Sequence, residues 1–323
     1  MIVALSGIYP EGTYEKFRAL LPEDVELLKI DTPEKYKALD RADVVILRIF
    51  RAEKEDILRI RGLRMISRWG VGYDSVDVET ASAKGILVTN TPGSNAYAVA
   101  EHTVMLMLAL CHHLTEHNRY AQRGEWSNKT FMETTRTLND AVVGLIGGGN
   151  VGRQVAHRVR AFGAKVVYFD PFRLSGELER EFAMKYVSMD ELLRTAEFVS
   201  LHAPLTEENR HMLDEAAMAK MKPGAYVINT ARSGLIDEAA LVKAIDEGRI
   251  AGAGIDCPAN APIGKDDPLL GRDTILITPH VAGTANDIAS ATIPMLADTI
   301  MELYRGDRVR FAVNADRLGS AGK

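Results

Sequence analysis

The sequence predicts an α/β protein made of two doubly wound parallel-sheet domains. Three observations predict it. Short apolar runs alternate with helical patterns along most of the chain, which implies parallel strands with helices on both faces. One stretch, residues 142–172 (VVGLIGGGNVGRQVAHRVRAFGAKVVYFDPF), reads as strand, glycine turn, helix and second strand in succession. At 323 residues the chain has the length of about two domains.

The first domain is expected over residues 1–97 and again over 286–323. Its strand-like runs are 2–5, 25–30, 44–47, 65–67 and 86–88, with helical patterns between them. Thr32-Pro33 marks one helix start, an N-cap followed by proline at the first helical position. No glycine fingerprint occurs in this part of the chain. Residues 96–119 then read as one long helix. Its middle, HTVMLMLAL, is apolar nearly all round, so most faces must be buried, in a core or in a homodimer interface. His113 and His117 at its end have i, i+4 spacing, but no third ligand accompanies them and no metal site is expected. Residues 120–140 are polar around Trp126 and suit a linker or an arm over a neighbouring subunit.

The second domain is expected over 98–285. Its first strand, 142–146, runs into Gly147, Gly149 and Gly152, spaced GxGxxG. Val155, Val159 and Phe162 share one face of the following helix, and the run 166–169 ends in Asp170. Each glycine has a physical reason. Gly147 permits the tight turn, Gly149 lets the backbone approach a pyrophosphate, and Gly152 lets helix pack close to strand. The helix N-terminus offers unpaired N–H groups to the phosphates. Asp170 is placed to accept hydrogen bonds from both ribose hydroxyls and would repel a 2′-phosphate. The unit is therefore a Rossmann-type dinucleotide site, and NAD is expected over NADP, a preference that nearby Arg173 weakens. Further on come a capping box at Ser188-x-x-Glu191 and strands at 198–202, 225–229, 251–255 and 274–278. A closing helix over 284–305 returns the chain to the first domain. The tail after Asn314, ending GSAGK, is expected to be disordered.

Composition excludes several classes. The formal net charge is −5 and no Lys/Arg-rich run stands out, so nucleic acid is not an expected partner. Two cysteines, Cys111 and Cys257, imply no disulfide framework and suit a cytoplasmic protein. The chain opens on a strand-like run without a signal peptide. Its longest apolar stretch, 104–111, is far too short to span a bilayer.

In open α/β sheets, ligands bind beyond the C-terminal ends of the strands. The polar groups there are Arg48, Gly70-Val71-Gly72, His202, Thr230-Ala231-Arg232, Asp256 and His280. An arginine and a histidine facing one crevice suit a 2-keto or 2-hydroxy acid. The guanidinium holds carboxylate and carbonyl, and the imidazole exchanges the hydroxyl proton during hydride transfer.

From residue 44 to 287 the chain resembles the D-isomer-specific 2-hydroxyacid dehydrogenase family, which includes the phosphoglycerate dehydrogenases. The resemblance rests on GVGYDSVD (70–77), VTNTPG (88–93), AEHTVMLML (100–108), GGGNVG (147–152) with Asp170, HAPLTEENRHML (202–213), MKPGAYVINTARSGLIDEAAL (221–241) and LITPHVAG (276–283). It implies an active site in the cleft between the domains, with Arg232 orienting the substrate carboxylate and carbonyl and His280 as general acid/base. It implies that the N–H groups of Val71 and Gly72 bind the substrate carboxylate. It places Asn150 and Val151 at the pyrophosphate, and Ala203, Pro204, Thr230, Ala231, Asp256 and Gly283 along the cofactor, with Asp256 on the nicotinamide carboxamide. Arg48 matches an arginine that reaches anionic substrates in phosphoglycerate dehydrogenases. Ile49 and Phe50 are bulkier than that subgroup usually shows, which argues against a phosphate-bearing substrate. The serine-sensing domain of the longer phosphoglycerate dehydrogenases is not expected.

One departure stands out. The family usually carries a glutamate beside the catalytic histidine, and Ala261 occupies that position here. Keto-acid reduction needs imidazolium, so the reductive rate is expected to fall as pH rises through neutrality unless Asp266, Asp267 or Asp287 substitutes. The same departure keeps two other readings open: an NAD(H)-binding regulatory or interaction protein with weakened catalysis, and an enzyme acting on another small anion, as the family's formate and phosphite dehydrogenases do.

Overall fold

The apolar runs of the first ninety-five residues become parallel strands, each followed by a helix. In this computed structural model, which describes residues 1–318, they are β1 (Ile2–Ser6), α1 (Thr13–Leu20), β2 (Glu26–Ile30), α2 (Pro33–Ala38), β3 (Val44–Leu47), α3 (Lys54–Arg59), β4 (Met65–Arg68), α4 (Val78–Ala83) and β5 (Leu87–Thr89). β3 is VVIL and buried at every position, as a strand covered on both faces must be. Thr32 caps α2 as its sequence predicts, accepting from Lys35 N at 3.2 Å. The sheet order is β2-β1-β3-β4-β5. This unit comprises Met1–Asn95 and the chain from Thr284 onward.

The second unit, Ala96–Gly283, holds α5 (Ala96–Cys111), α6 (Leu114–Gln122), β6 (Val142–Ile146), α7 (Asn150–Ala161), β7 (Lys165–Phe169), α8 (Gly176–Phe182), β8 (Met184–Tyr186), α9 (Met189–Thr195), β9 (Phe198–Leu201), α10 (Glu215–Lys220), β10 (Ala225–Asn229), α11 (Glu238–Asp246), β11 (Ile250–Ile255) and β12 (Ile275–Ile277). Its seven described strands are parallel in the order β12-β11-β10-β9-β6-β7-β8. Apolar clusters lie on both faces of this sheet, α9, α10 and α11 contributing to one and α5 and α7 to the other. Both sheets are thus doubly wound.

Four expectations change. The predicted helix 96–119 is two helices, because His113 takes a left-handed conformation (φ 52°) between α5 and α6. Its ring stacks on Phe131 at 4.5 Å and bonds Thr134 Oγ1 at 3.1 Å, long-range contacts that helical periodicity cannot register. The capping box at Ser188 is half made: Ser188 accepts from Glu191 N, but the Glu191 carboxylate turns to Lys185 at 3.5 Å. The closing helix, α12 (Ile288–Arg305), begins four residues later than expected and packs against β1 and β3 of the first unit. Beyond it, Asn314 is buried and pins the chain to β5. It accepts from Val88 N at 2.9 Å and donates to Ile86 O at 2.9 Å and Ser82 Oγ at 3.0 Å. The expected disordered tail therefore starts with structure, a 3-10 turn at Ala315–Arg317, and its part from residue 319 lies outside the described residues.

α5 buries most of its surface but leaves Met105 47 % exposed. Met105, Leu108, Leu114 and Phe162 line an apolar groove between α5 and α7, edged by the Glu101–Arg158 ion pair at 3.0 Å. Among the described residues no helix is long and apolar enough to cross a membrane.

Candidate active site

In the second unit the strand order reverses between β6 and β9, and the glycine turn leaves β6 at that switch point. Gly147 has φ 111°, and a Cβ there would lie 2.7 Å from the His202 carbonyl. A Cβ on Gly152 would lie 2.1 Å from Gly147 O, so α7 packs on the turn only without a side chain. Gly149 differs: a Cβ there would meet nothing within 4 Å. The protein's own packing does not demand this glycine, and the space beside it is open. Gly149 is the N-cap of α7 and no side chain caps the helix, so the first N–H groups are left for an anion. Asn150 bonds Arg153 Nη2 through its Oδ1 at 2.8 Å, and Val151 is half-buried. These features fit a dinucleotide pyrophosphate.

Asp170 faces the same turn. Its Oδ2 accepts from Gly148 N at 2.8 Å and its Oδ1 from Phe172 N at 2.9 Å, which fixes the carboxylate. Arg173, three residues on, is committed elsewhere. It bonds Glu179 through two donors at 2.8 and 3.0 Å. That pair, with the Tyr168 hydroxyl, holds the Glu179 carboxyl down to about 2.

The other strand ends supply the remaining groups on the same edge of the sheet. After β9, His202 Nε2 bonds Ser200 Oγ at 2.9 Å, and burial pushes its pKa down to about 3, so the ring is neutral. Ala203 is half-buried and Pro204 exposed beyond it. After β10, the buried Asn229 clamps the next turn: its Oδ1 accepts from Ala231 N at 3.0 Å and its Nδ2 donates to Arg232 O at 2.8 Å. Thr230 Oγ1 meets Thr103 Oγ1 of α5 at 2.9 Å. Arg232 is half-buried and donates from Nη1 to Ala231 O at 2.7 Å.

After β11, Asp256 is 1 % exposed. Its Oδ1 accepts from Thr278 Oγ1 at 2.5 Å and Val281 N at 2.9 Å, and its Oδ2 accepts from Ala282 N at 2.9 Å. Its carbonyl accepts from His280 N at 2.8 Å. These bonds hold the loop after β12, which presents His280 to solvent at φ 56° and ends at the half-buried Gly283. Among the described residues no carboxylate lies within ion-pairing distance of the His280 ring. Ala261 is exposed, and the acids near it are bonded to its neighbours in the loop: Glu238 Oε1 of α11 accepts from Ala259 N at 2.8 Å and Asp267 Oδ2 from Asn260 Nδ2 at 3.2 Å.

Arg48, Val71 and Gly72 lie in the first unit, at the C-terminal edge of its own sheet. That sheet reverses order between β1 and β3. Gly7 follows β1, and a Cβ there would lie 2.9 Å from Arg48 Cβ. Arg48 donates to Ile8 O and lies over the Tyr9 and Trp69 rings at 6.0 and 5.9 Å. Gly70 (φ 125°) donates to Thr91 Oγ1 at 3.0 Å, and Val71 O accepts from Asn90 Nδ2 at 2.7 Å. Among the described residues the N–H groups of Val71 and Gly72 make no hydrogen bond, leaving two adjacent donors for an anion.

Sequence reasoning missed the residues that hold these groups: His102, Thr103, Asn229 and Thr278 in the second unit, and Tyr9, Trp69, Asn90 and Thr91 in the first. Most of them sit inside the matching motifs. Asking which side chain bonds each motif's backbone would have found Asn229 and Thr278. His113 and His117, set aside as metal ligands, pack on Phe131 instead. Among the described residues no cluster of three metal-capable side chains occurs.

A doubly wound unit with an uncapped glycine turn at its switch point is a nucleotide-cofactor domain. Residues 104–282 match the NAD-binding domain of the D-isomer specific 2-hydroxyacid dehydrogenases. The chain is 37 % identical over 247 residues to a glyoxylate reductase of Korarchaeum cryptofilum, covering 76 % of this chain and 74 % of that protein. It is 36 % identical over 264 residues to a D-3-phosphoglycerate dehydrogenase of Archaeoglobus fulgidus, covering 82 % of this chain and spanning only 50 % of that relative. Among solved structures, D-lactate dehydrogenase of Aquifex aeolicus, complexed with NAD and lactic acid, superposes with a TM-score of 0.80 at 28 % identity, over 95 % of this chain and 96 % of that one. The chain belongs to the D-isomer-specific 2-hydroxyacid dehydrogenase family, whose members are nicotinamide-dependent oxidoreductases.

Proposed function

We propose that the protein reduces small 2-keto acids with NADH, or oxidises the matching 2-hydroxy acids. The observation that carries this reading is the Asp256-bonded loop, which presents His280 on the same sheet edge as Arg232 and the glycine turn. Arg232 orients the substrate carboxylate and carbonyl, with its loop held by Asn229. His280 delivers a proton to the carbonyl oxygen, or takes it back in oxidation. The nicotinamide cofactor supplies or accepts the hydride. Asn150 and Val151 bind its pyrophosphate, Asp170 its adenosine ribose, and Ala203, Pro204, Thr230, Ala231, Asp256 and Gly283 line its path. In the first unit the free N–H groups of Val71 and Gly72 suit a substrate carboxylate, and Arg48 adds positive charge near them. NAD is preferred because the Asp170 carboxylate, held beside the glycine turn, would repel a 2′-phosphate, while Glu179 occupies Arg173. The groove between α5 and α7 is covered by a second copy of the chain, which makes the protein a homodimer.

His280 works without the glutamate that Ala261 replaces, so reduction weakens as pH rises. The decisive assay is NADH oxidation with a panel of 2-keto acids at pH 5.5, 7 and 8.5, repeated with NADPH and with Ala261→Glu. Turnover that needs Arg232, is strongest at acid pH and extends by about one pH unit or more in Ala261→Glu supports the reading. A rate flat past pH 8 removes the unsupported-histidine part of it. The bare His280 ring also favours a second reading, an NAD(H)-binding regulatory or interaction protein, or an enzyme for another small anion. Tight NADH binding with no keto-acid turnover in either form would put that reading first.

A further inference from the structure

We propose that His102, on α5, is a positioning residue for His280, acting through Thr278 and Asp256. The proposal rests on the reading of His280 as acid/base. The hydrogen bonds run in one direction. Asp256 is an acceptor only, and Thr278 Oγ1 lies 2.5 Å from its Oδ1, so the threonine proton points at the carboxylate. The threonine oxygen can then only accept from His102 Nε2 at 2.9 Å, which requires the proton on that nitrogen. His102 Nε2 itself lies 3.7 Å from Asp256 Oδ1.

The two ends of this chain differ in rigidity. His102 stands on a sixteen-residue helix whose buried face includes Thr103, Val104, Leu106 and Met107. The other end is a loop without regular structure. Asp256 binds that loop at His280 and just beyond it: its carbonyl takes His280 N, and its carboxylate takes Val281 N and Ala282 N. His280 is held at φ 56°, which an L-residue with a side chain keeps only when its surroundings impose it. Thr278 is thus the one described side chain that joins helix and loop to the same carboxylate oxygen. Without the His102 donor the threonine hydroxyl can turn, and the carboxylate loses its shortest bond.

His102→Leu removes the donor, while His102→Gln places an amide N–H near Nε2. Thr278→Val tests the same link independently, should the leucine variant fold poorly. The full-length protein is assayed for glyoxylate reduction, for NADH affinity by fluorescence, and for amide hydrogen exchange of residues 278–283. The expected result for His102→Leu and Thr278→Val is a kcat about tenfold lower with NADH affinity within twofold, and faster exchange confined to 278–283. His102→Gln restores most of both. A folding defect alone would lower the number of NADH sites and leave the rate per bound NADH unchanged. The inference is overturned if exchange at 278–283 is unaltered in both variants, or if kcat per NADH site stays within twofold while His280→Gln abolishes it. If His280→Gln leaves turnover intact, the reading of His280 fails, and the exchange data still decide whether His102 holds the loop.

Discussion

At the scale of single residues, the proposed preference for NAD turns on whether Arg173 is available. A guanidinium three residues beyond Asp170 could have paired with a 2′-phosphate, but two hydrogen bonds commit it to Glu179. Asp170 meanwhile is fixed by Gly148 N. The expected ratio of NADPH to NADH dissociation constants is therefore well above one. Asp170→Asn should lower that ratio about tenfold or more, the scale of one like-charge pair a few ångströms apart near a surface. Adding Glu179→Ala, which frees Arg173, should lower it again, and titration with both cofactors reads it. A variant series with an unchanged ratio would show that neither residue governs the choice. His202 gives a second residue-scale expectation. Burial holds its pKa at about 3, against about 6.5 for an exposed histidine. Between those values the unfolded chain binds a proton that the folded protein refuses. Stability must then decline as pH falls from 6.5 towards 3, with a slope from this group of up to about 1.4 kcal/mol per pH unit. His202→Gln should flatten that part of a Tm-against-pH curve, and an unchanged curve would mean that other groups set the acid limit. Position along the chain was legible at this scale, and pairing was not. The sequence shows Asp170, Arg232 and His280 at strand ends, but not that Asn229 spends its amide on the Arg232 turn or that Glu179 takes Arg173. Those outcomes depend on which lone pair meets which donor after folding.

At the scale of elements, the turn from β6 into α7 separates two kinds of glycine. Gly152→Ala drives a methyl to 2.1 Å from Gly147 O. The helix must move away, and overpacking of this kind costs about 1–3 kcal/mol, enough to lower Tm by several degrees. Gly149→Ala meets no atom, and its φ of −68° is open to alanine, so Tm should stay within about 2 °C. Its methyl would instead occupy the space beside the helix N-terminus, and NADH affinity should fall about tenfold, the scale of one lost charge-assisted contact. Calorimetry beside NADH titration separates the two. If Gly149→Ala binds NADH normally, the phosphates do not lie against this turn. Elements with strong local signals were legible: β3, β6, α2 and the glycine turn all carry their pattern within a few residues. The break at His113 was not, because it depends on Phe131 and Thr134, far along the chain. The edge strand β8 was missed too, being three residues long with no run of its own.

At the scale of the whole molecule, the proposed homodimer rests on the groove between α5 and α7. An apolar strip of Met105 on α5, Leu114 at the start of α6 and Phe162 just after α7, each roughly half exposed, is unusual beside a helix, α5, that is otherwise buried on most faces. A two-fold axis through the groove would set the strip against its own copy, and every apolar contact would then be made twice. The Glu101–Arg158 pair at the rim suits such an arrangement, since charges tolerate an interface edge better than its centre. Trp126, 90 % exposed on the segment after α6, offers a further apolar group that one chain leaves bare. Sedimentation at micromolar concentration should therefore give twice the mass of the chain. Met105→Glu combined with Phe162→Glu should give the single-chain mass, because each carboxylate would have to be buried unpaired in the interface. NADH affinity should be retained in that variant, since neither residue touches the glycine turn. If the unsubstituted protein sediments as one chain, the groove is not a self-interface. If the doubly charged variant remains a dimer, the two copies meet through another face.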